Sequence, residues 1–165
     1  MVALKNILVA TDFGEASDAA LTYGRELAAR FDATLHVLHV AQSIYVSTFG
    51  AENYAALMPT LQEEIEVGAR KQLDELLVDC NSRGLRTKPA VLTSSLPAVV
   101  IVDYAKTNNI DLIVIGTHNR GTLAHFLMGS VAERVVRLAG CPVLTVRHPE
   151  HEFIRPDALV AVAKA

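Results

Sequence analysis

The stretch that decides the fold is DLIVIGTHNRGTLAHFLMGSVAERVV, residues 111–136. It opens with the apolar run 112–115, which is typical of a strand buried on both faces and which ends at Gly116. It closes with a helix that should begin at Ser130, because apolar residues recur at helical spacing at Val131, Val135 and Leu138. The stretch therefore predicts a strand, a loop and a helix in that order.

The loop between this strand and this helix is rich in glycine, with Gly121 and Gly129 inside it. A helix that begins directly after a glycine presents free backbone N–H groups and the positive end of its dipole to whatever lies in front of it. Such a position favours an anion, and phosphate is the usual one. The alternative is that these glycines only let the chain turn. Both interpretations stay open on this stretch alone.

Composition sets the outer limits. The chain has 165 residues, of which 51% are hydrophobic and 20% charged, which is typical of one globular domain. A net charge of −3 without any run of Lys or Arg argues against nucleic acid as a partner. No apolar stretch approaches the roughly 20 residues that span a bilayer, and the first residues lack the pattern of a signal peptide. We therefore expect a cytoplasmic protein in which Cys80 and Cys141 are buried thiols.

Outward from the deciding stretch, apolar runs alternate with amphipathic segments. Five runs are predicted to be strands: residues 7–10, 33–40, 86–93, 112–115 and 143–147. Pro89 interrupts the third run and indicates an edge strand. Ser17 is expected to cap the first helix, with Arg25 on its solvent side. Connections of this length imply parallel strands, and right-handed crossovers then give an open, doubly wound α/β sheet.

Ligands of doubly wound sheets bind beyond the carboxyl ends of the strands, at the point where the strand order reverses. The first and fourth strands look alike, as NILVATD and DLIVIGT, and are expected to flank that point. Asp12, Val40 and Gly116 would then lie on one rim of the sheet. His36 and His39 are three apart on a strand, so they face opposite sides and are expected to pack rather than share a metal. His148 is expected to be solvated.

These segments resemble one known family. The spacing Gly116-x2-Asn119-x9-Gly129-Ser130 is similar to the G-x2-G-x9-G-(S/T) signature of the ATP-binding universal stress proteins. NILVATDF, DLIVIGTH and GSVAERVVRLAGCPVLTVR resemble the same family. The resemblance covers roughly residues 3–147. It predicts a universal stress protein domain over residues 1–148, followed by a tail, 149–165, that stays without an assigned role.

The resemblance implies a fold and a function. The fold is a five-stranded parallel sheet in the order 3-2-1-4-5, of the adenine nucleotide alpha hydrolase-like type. The function is that of a stress-response or signalling protein that binds ATP, AMP or ADP together with Mg²⁺ or Mn²⁺. Homodimers are expected to pair through the last strand, residues 143–147, and to act as a switch. No residue is placed as a general base for hydrolysis, so any ATPase activity is expected to be slow.

Carried over residue by residue, the resemblance also implies a binding site. Asp12 would border the nucleotide, Val40 would meet the adenine, and Gly116 would approach the ribose, while the loop before the last helix would surround the phosphates. The full set of expected nucleotide-binding residues is Ala10, Thr11, Asp12, Val40, Gly116, Thr117, His118, Asn119, Arg120, Gly129, Ser130 and Val131. No catalytic residue is implied, and no set of metal ligands is specified.

One departure from the signature is Asn119, which stands where the family has its second glycine. Asparagine tolerates left-handed backbone angles best among the other residues, so the loop can keep its shape. The asparagine side chain either fills space that a phosphate would use or offers it a hydrogen bond. Asp12 is similarly open to two interpretations, as a ligand of a phosphate-bound metal or as a cap of the first helix.

Other nucleotide-binding and catalytic motifs are missing from the sequence. There is no G-x-x-x-x-G-K-[ST], no G-x-G-x-x-G after the first strand and no G-x-S-x-G. A phospho-accepting receiver domain is also disfavoured, because the third strand is followed by Ser94 and Ser95 where an aspartate would be needed. The remaining rival is a protein-interaction module of the same fold that works without nucleotide.

Overall fold

The alternating apolar and amphipathic segments fold into one parallel sheet between two layers of helices. The computed structural model describes residues 3–44, 57–118 and 130–148. The elements are β1 Asn6–Thr11, α1 Glu15–Phe31, β2 Thr34–Ala41, α2 Met58–Ser82, β3 Thr87–Thr93, α3 Pro97–Thr107, β4 Leu112–His118, α4 Ser130–Leu138 and β5 Val143–His148. The five strands pair in the order β3-β2-β1-β4-β5, and every pair is parallel. The predicted order 3-2-1-4-5 is confirmed.

Helices cover both faces of the sheet, which is why the central strands are apolar at successive positions rather than at alternate ones. The face under α1 and α2 is built mainly from Ile7, Val9, Leu35, Val37 and Val114. The opposite face, under α3 and α4, is built mainly from Leu8, Leu38, Ile113 and Ile115, against which Val135 of α4 packs. The helices that follow the neighbouring strands β1 and β4, α1 and α4, thus cover opposite faces of the sheet.

The two edges of the sheet are β3 and β5. The prediction that Pro89 marks an edge strand is confirmed, since β3 has β2 as its single neighbour. Both cysteines are free thiols; Cys80 is buried and Cys141 is half-buried. Within the described ranges, no helix is both long enough and apolar enough to cross a membrane.

Two predictions about α1 are wrong. The helix begins at Glu15 after Gly14, and Ser17 is a buried residue of its first turn rather than its cap. The hydroxyl of Ser17 donates to the carbonyl of Gly14 over 2.8 Å, a bond that a cap position would not make. Arg25 does not extend into solvent, because its Nη2 donates to the carbonyl of Leu76 over 2.7 Å.

A third correction concerns the end of β4. The loop was predicted to start at Gly116, but β4 continues to His118. The cause is pairing with β5, which places Gly116 beside Val146 and Thr117 beside Arg147. Gly116 is therefore a strand residue next to the loop and not a residue of the loop itself.

Candidate functional site

The candidate site lies at the carboxyl ends of β1 and β4. These strands are neighbours, with Ala10 in register with Ile115, and their helices cover opposite faces. The strand order thus reverses between β1 and β4, and a crevice opens at the carboxyl edge of such a point. Asp12 follows β1 directly, Val40 is near the end of β2, and Thr117 is near the end of β4. The strand ends that were expected to form this rim are thus present in the fold, and the ligand role of their residues stays a prediction.

The loop after β1 is held by a chain of hydrogen bonds. The N–H of Phe13 donates to Thr11 Oγ1 over 3.0 Å, and the hydroxyls of Thr11 and Ser17 are 3.1 Å apart. Since Ser17 gives its one proton to the carbonyl of Gly14, it accepts from Thr11. The hydroxyl proton of Thr11 is thereby committed inside the protein. Thr11 shapes the loop and has no donor left over for a ligand.

Asp12 is the exposed acidic residue of this loop. Its Oδ1 accepts the N–H of Gly14 over 3.0 Å, which closes a tight turn of the Asx type directly before α1. This bond shapes the turn but does not cap α1, because the cap residue of α1 is Gly14 and no side chain caps the helix. The turn occupies one carboxylate oxygen, and Oδ2 has no partner among the described residues. The second interpretation, a metal or ligand contact, stays open.

His39 and Phe13 support the same loop, and sequence reasoning missed both. Nδ1 of His39 lies 2.9 Å from the carbonyl oxygen of Thr11, and an oxygen of this kind only accepts, so Nδ1 carries the proton. The ring of His39 stacks on Phe13 with 4.4 Å between centroids and 30° between planes. Phe13 has a φ of +61°, a left-handed conformation that costs a non-glycine residue roughly 1–3 kcal/mol. The stack and the hydrogen bonds offset this cost.

The expected packing role holds for the other histidine of β2. His36 is buried on the α3 side, and its Nδ1 lies 3.0 Å from the hydroxyl of Tyr104. Burial, together with the positive charge of Lys88 on the neighbouring strand, lowers the pKa of His36 from 6.5 to about 4. His36 and His39 indeed face opposite sides of the sheet, as predicted. His36 is a structural residue away from the rim.

Gly116 faces α1. A Cβ at this position would lie 2.1 Å from the carbonyl oxygen of Ala16 and 2.8 Å from the nitrogen of Ser17. The first turn of α1 therefore occupies the space that a side chain would need. This close approach explains the glycine without any ligand. A contact of its backbone with a ribose remains a prediction.

Three expected site residues lie on the opposite face of the sheet. Ala10 is buried in the core under α3 and α4, while Val40 and Val131 are half-buried against the same core. They offer an apolar wall at the carboxyl edge. Thr117, near the end of β4, donates weakly, over 3.4 Å, to the carbonyl of Val146. A flat apolar group such as an adenine fits a wall of this kind better than a charged group does.

The phosphate end of the predicted site is described in part. Ser130 is exposed and is the first residue of α4, as predicted. His118 ends β4, in register with His148 of β5. Three expected site residues lie outside the described residues: Asn119, Arg120 and Gly129. The predicted tail, 149–165, lies outside them as well.

A contact that the sequence did not predict joins the rim to the edge of the sheet. Nε2 of His148, at the end of β5, lies 3.2 Å from a carboxylate oxygen of Glu15, the first residue of α1. His148 is therefore not simply solvated. Within residues 3–44, 57–118 and 130–148, no three His, Cys, Asp or Glu side chains come together as metal ligands.

The fold defines a class: an open, doubly wound α/β domain whose strand order reverses between β1 and β4. The universal stress protein family model matches residues 3–147. The chain belongs to the universal stress protein family.

Curated relatives agree with the family. The chain is 32% identical over 148 residues to a universal stress protein of Methanocaldococcus jannaschii, an alignment that covers 90% of this chain and 85% of the relative. It is 34% identical over 142 residues to the universal stress protein A homolog 1 of Coxiella burnetii, covering 86% and 95%. Both alignments span nearly the whole domain.

Solved structures agree as well. A protein of the universal stress protein family from Burkholderia pseudomallei superposes with a TM-score of 0.68 at 28% identity, covering 87% of this chain and 96% of that one. Two further neighbours show the fold alone, at 21% and 24% identity with TM-scores of 0.62 and 0.60. They cover 88% of this chain and 99% and 98% of their own. The first is from Archaeoglobus fulgidus in complex with dAMP, and the second is a universal stress protein in complex with cAMP.

Proposed function

We propose that the protein binds an adenine nucleotide, with ATP as the first candidate, in the crevice between β1 and β4. The observation that carries this proposal is the reversal of strand order between these two neighbouring strands, at the place where the signature-like stretch 116–130 leaves the sheet. Crevices at such points are where open α/β sheets bind nucleotides. Two neighbours of the same fold were solved with adenine nucleotides, which supports the choice of base.

The described residues of the rim suit the parts of such a ligand. The half-buried Val40 offers an apolar contact for the base, and the exposed start of α4 at Ser130 offers N–H groups for phosphates. Asp12 keeps one carboxylate oxygen outside its turn. That oxygen would bind a ribose hydroxyl or a Mg²⁺ or Mn²⁺ ion held by the phosphates. Asn119, Arg120 and Gly129 are proposed to complete the phosphate end.

We further propose that the nucleotide controls a homodimer paired through β5. This strand is an edge of the sheet, and Val143 and Leu144 in it are half-buried rather than charged. Exposed edges of this kind pair with other chains unless they are protected. The contact of His148 with Glu15 connects β5 to the loop that carries Asp12. A nucleotide that contacts this loop differently in the two states would shift the population of dimers.

A rival function keeps one observation in its favour. Gly116 is required by the first turn of α1, so the first glycine of the signature is explained without nucleotide. A protein-interaction module of this fold would keep Gly116 and would be free to replace the second glycine, as Asn119 does. Nucleotide binding therefore has to be tested at residues that the fold itself does not require.

Isothermal titration calorimetry of the full chain with ATP, ADP and AMP, with Mg²⁺, with Mn²⁺ and with EDTA, tests the proposal. We expect saturable heat with at least one of these nucleotides, and stronger binding of ATP when the metal is present. Mass spectrometry of nucleotide that co-purifies with the protein identifies the natural ligand. Absence of heat with all three nucleotides at millimolar concentration would favour the interaction module.

Asp12→Asn separates the charge of the rim from its shape, because an amide oxygen still accepts the N–H of Gly14. We expect about 10- to 100-fold weaker binding of ATP with Mg²⁺, since one charge-assisted contact is worth roughly 1.5–3 kcal/mol and about 1.4 kcal/mol is a factor of ten. Asp74→Asn removes the same charge from an exposed position of α2 and should bind like the parent. Equal affinities of both variants would remove Asp12 from the site.

Gly129→Val tests the phosphate end, because a side chain directly before α4 would displace phosphates from its first N–H groups. We expect about 10- to 100-fold weaker binding with an unchanged far-UV spectrum.

Light scattering tests the dimer: the expected mass is twice the chain mass of 17.8 kDa. A mass of one chain, with and without ATP, would refute pairing through β5.

A further inference from the structure

We propose that His39 is a positioning residue of the nucleotide site: together with Phe13 it holds the loop that carries Asp12 in its binding conformation. The inference rests on the proposed function and deepens it, since it names what sets the affinity of the same site. It follows from three contacts that meet in this loop.

The first contact comes from the register of the sheet. His39 lies beside Thr11, the last residue of β1, and its Nδ1–H donates to the carbonyl of Thr11 over 2.9 Å. This carbonyl marks the point where the extended strand ends and the turn begins. β2 therefore fixes the exit of β1 through a side chain, beyond the backbone ladder.

The second contact fixes the residue after Asp12. Phe13 has a left-handed φ of +61°, which β-branched and aromatic residues rarely adopt. Its ring stacks on His39 at 4.4 Å, and both residues are half-buried. The stack gives the strained residue a fixed ring position. Asp12 lies between Thr11 and Phe13, the two residues that His39 contacts.

The third contact closes the loop on α1. Gly14 donates its N–H to Asp12 Oδ1 over 3.0 Å and accepts, through its carbonyl, the hydroxyl of Ser17 over 2.8 Å. The carboxylate of Asp12 is thus aimed by the turn, the turn is held by Phe13, and Phe13 is held by His39. Removal of His39 therefore removes both the hydrogen bond to Thr11 and the ring stack on Phe13.

The expected size of the effect follows from populations. A site that is competent only in a fraction of the molecules binds more weakly by that same fraction. If His39→Ala leaves the loop in its binding conformation in about one molecule in ten, nucleotide affinity falls about tenfold. Amide exchange in the segment 11–16 rises with it, because the N–H groups of Phe13 and Gly14 are freed more often.

The experiment compares three variants by calorimetry with ATP and by hydrogen–deuterium exchange without nucleotide. His39→Ala should lose about tenfold in affinity and protection in the segment 11–16. His39→Asn keeps a donor close to the position of Nδ1 but lacks the ring that stacks on Phe13, so it should recover part of the affinity and part of the protection. His36→Asn is the matched control, because His36 is buried on the same strand but bonds to Tyr104 on the other face. It should lower the melting temperature and leave affinity and exchange at the rim unchanged.

A double-mutant cycle shows whether His39 acts through Asp12. We expect the variant with both His39→Ala and Asp12→Asn to bind no more weakly than the weaker single variant, because both changes remove one interaction. With His36→Asn in place of His39→Ala, the effects should add. If amide exchange in the segment 11–16 is the same in His39→Ala as in the parent, the inference is overturned, whether or not the affinity for nucleotide changes. If the parent binds no nucleotide, the proposed function fails, and the exchange data alone decide the role of His39.

Discussion

Replacing Gly116 by alanine is expected to destabilise the whole domain and not only its binding site. The added Cβ would lie 2.1 Å from the carbonyl oxygen and 2.4 Å from the carbonyl carbon of Ala16. Non-bonded carbon atoms prefer a separation of about 3.5 Å or more. The first turn of α1 would therefore have to move away from β4 by about 1 Å. Helix backbone does not rotate out of the way as a side chain can.

The cost follows from what overpacked cores show. Extra methylene groups in a well-packed interior cost about 1–3 kcal/mol, and a clash with backbone belongs at the upper end, about 3 kcal/mol. In a domain of this size each kcal/mol lowers the melting temperature by roughly 2–4 °C. Gly116→Ala should therefore melt roughly 6–12 °C below the parent. Thermal and urea unfolding followed by circular dichroism measure this difference.

Gly68→Ala is the matched control for this prediction. A Cβ at Gly68, within α2, would have no atom outside its own helix and chain neighbours within 4 Å. Alanine is favoured over glycine inside helices by about 1 kcal/mol, so this variant should melt above the parent. If Gly116→Ala melts with the parent and loses only nucleotide binding, the steric reasoning is refuted. Gly116 would then be a ligand-facing glycine after all.

Two further predictions concern stability. His36 has a pKa of about 4 in the folded chain against 6.5 in the unfolded chain, so the unfolded chain takes up the proton first and stability is lost as pH falls from 6.5 towards 4. Unfolding free energies across this range should fall by about 3 kcal/mol more in the parent than in His36→Gln. Arg25→Met removes the guanidinium that donates to the carbonyl of Leu76, while that carbonyl keeps its helical N–H donor within α2, so the change should cost about 0.5–1.5 kcal/mol in urea unfolding. The exposed Arg30→Met should cost less than about 0.5 kcal/mol.

Much of the fold could be predicted from sequence because its signals are local. The five apolar runs, the edge position of Pro89 and the start of α4 at Ser130 each follow from a few neighbouring residues. The predicted start of α1 was wrong because Ser17 and Gly14 are both suitable cap residues. Which of the two caps the helix depends on the contact between the hydroxyls of Thr11 and Ser17. The hydroxyl of Thr11 draws Ser17 into the first turn, which no local pattern shows.

The location of the candidate site could be predicted from the sequence, but the contacts that hold its loop could not. Asp12 and Val40 follow from the strand ends, and the reversal between β1 and β4 follows from the topology. The role of His39 depends on its register with Thr11 across two strands, together with the left-handed φ of Phe13. The signal that was available is positional: His39 and Thr11 each lie at the end of a strand that the sequence already paired.

The position of Gly116 changes what a match to the family signature means. Because the first turn of α1 excludes a side chain there, any chain with this fold and this packing needs that glycine, whether it binds a nucleotide or not. A match at Gly116 is therefore informative about the fold. Asp12, by contrast, keeps a carboxylate oxygen outside its turn, and Ser130 is exposed at the start of α4. Packing does not require either of these features, so a variant at Asp12 tests binding where a variant at Gly116 tests folding.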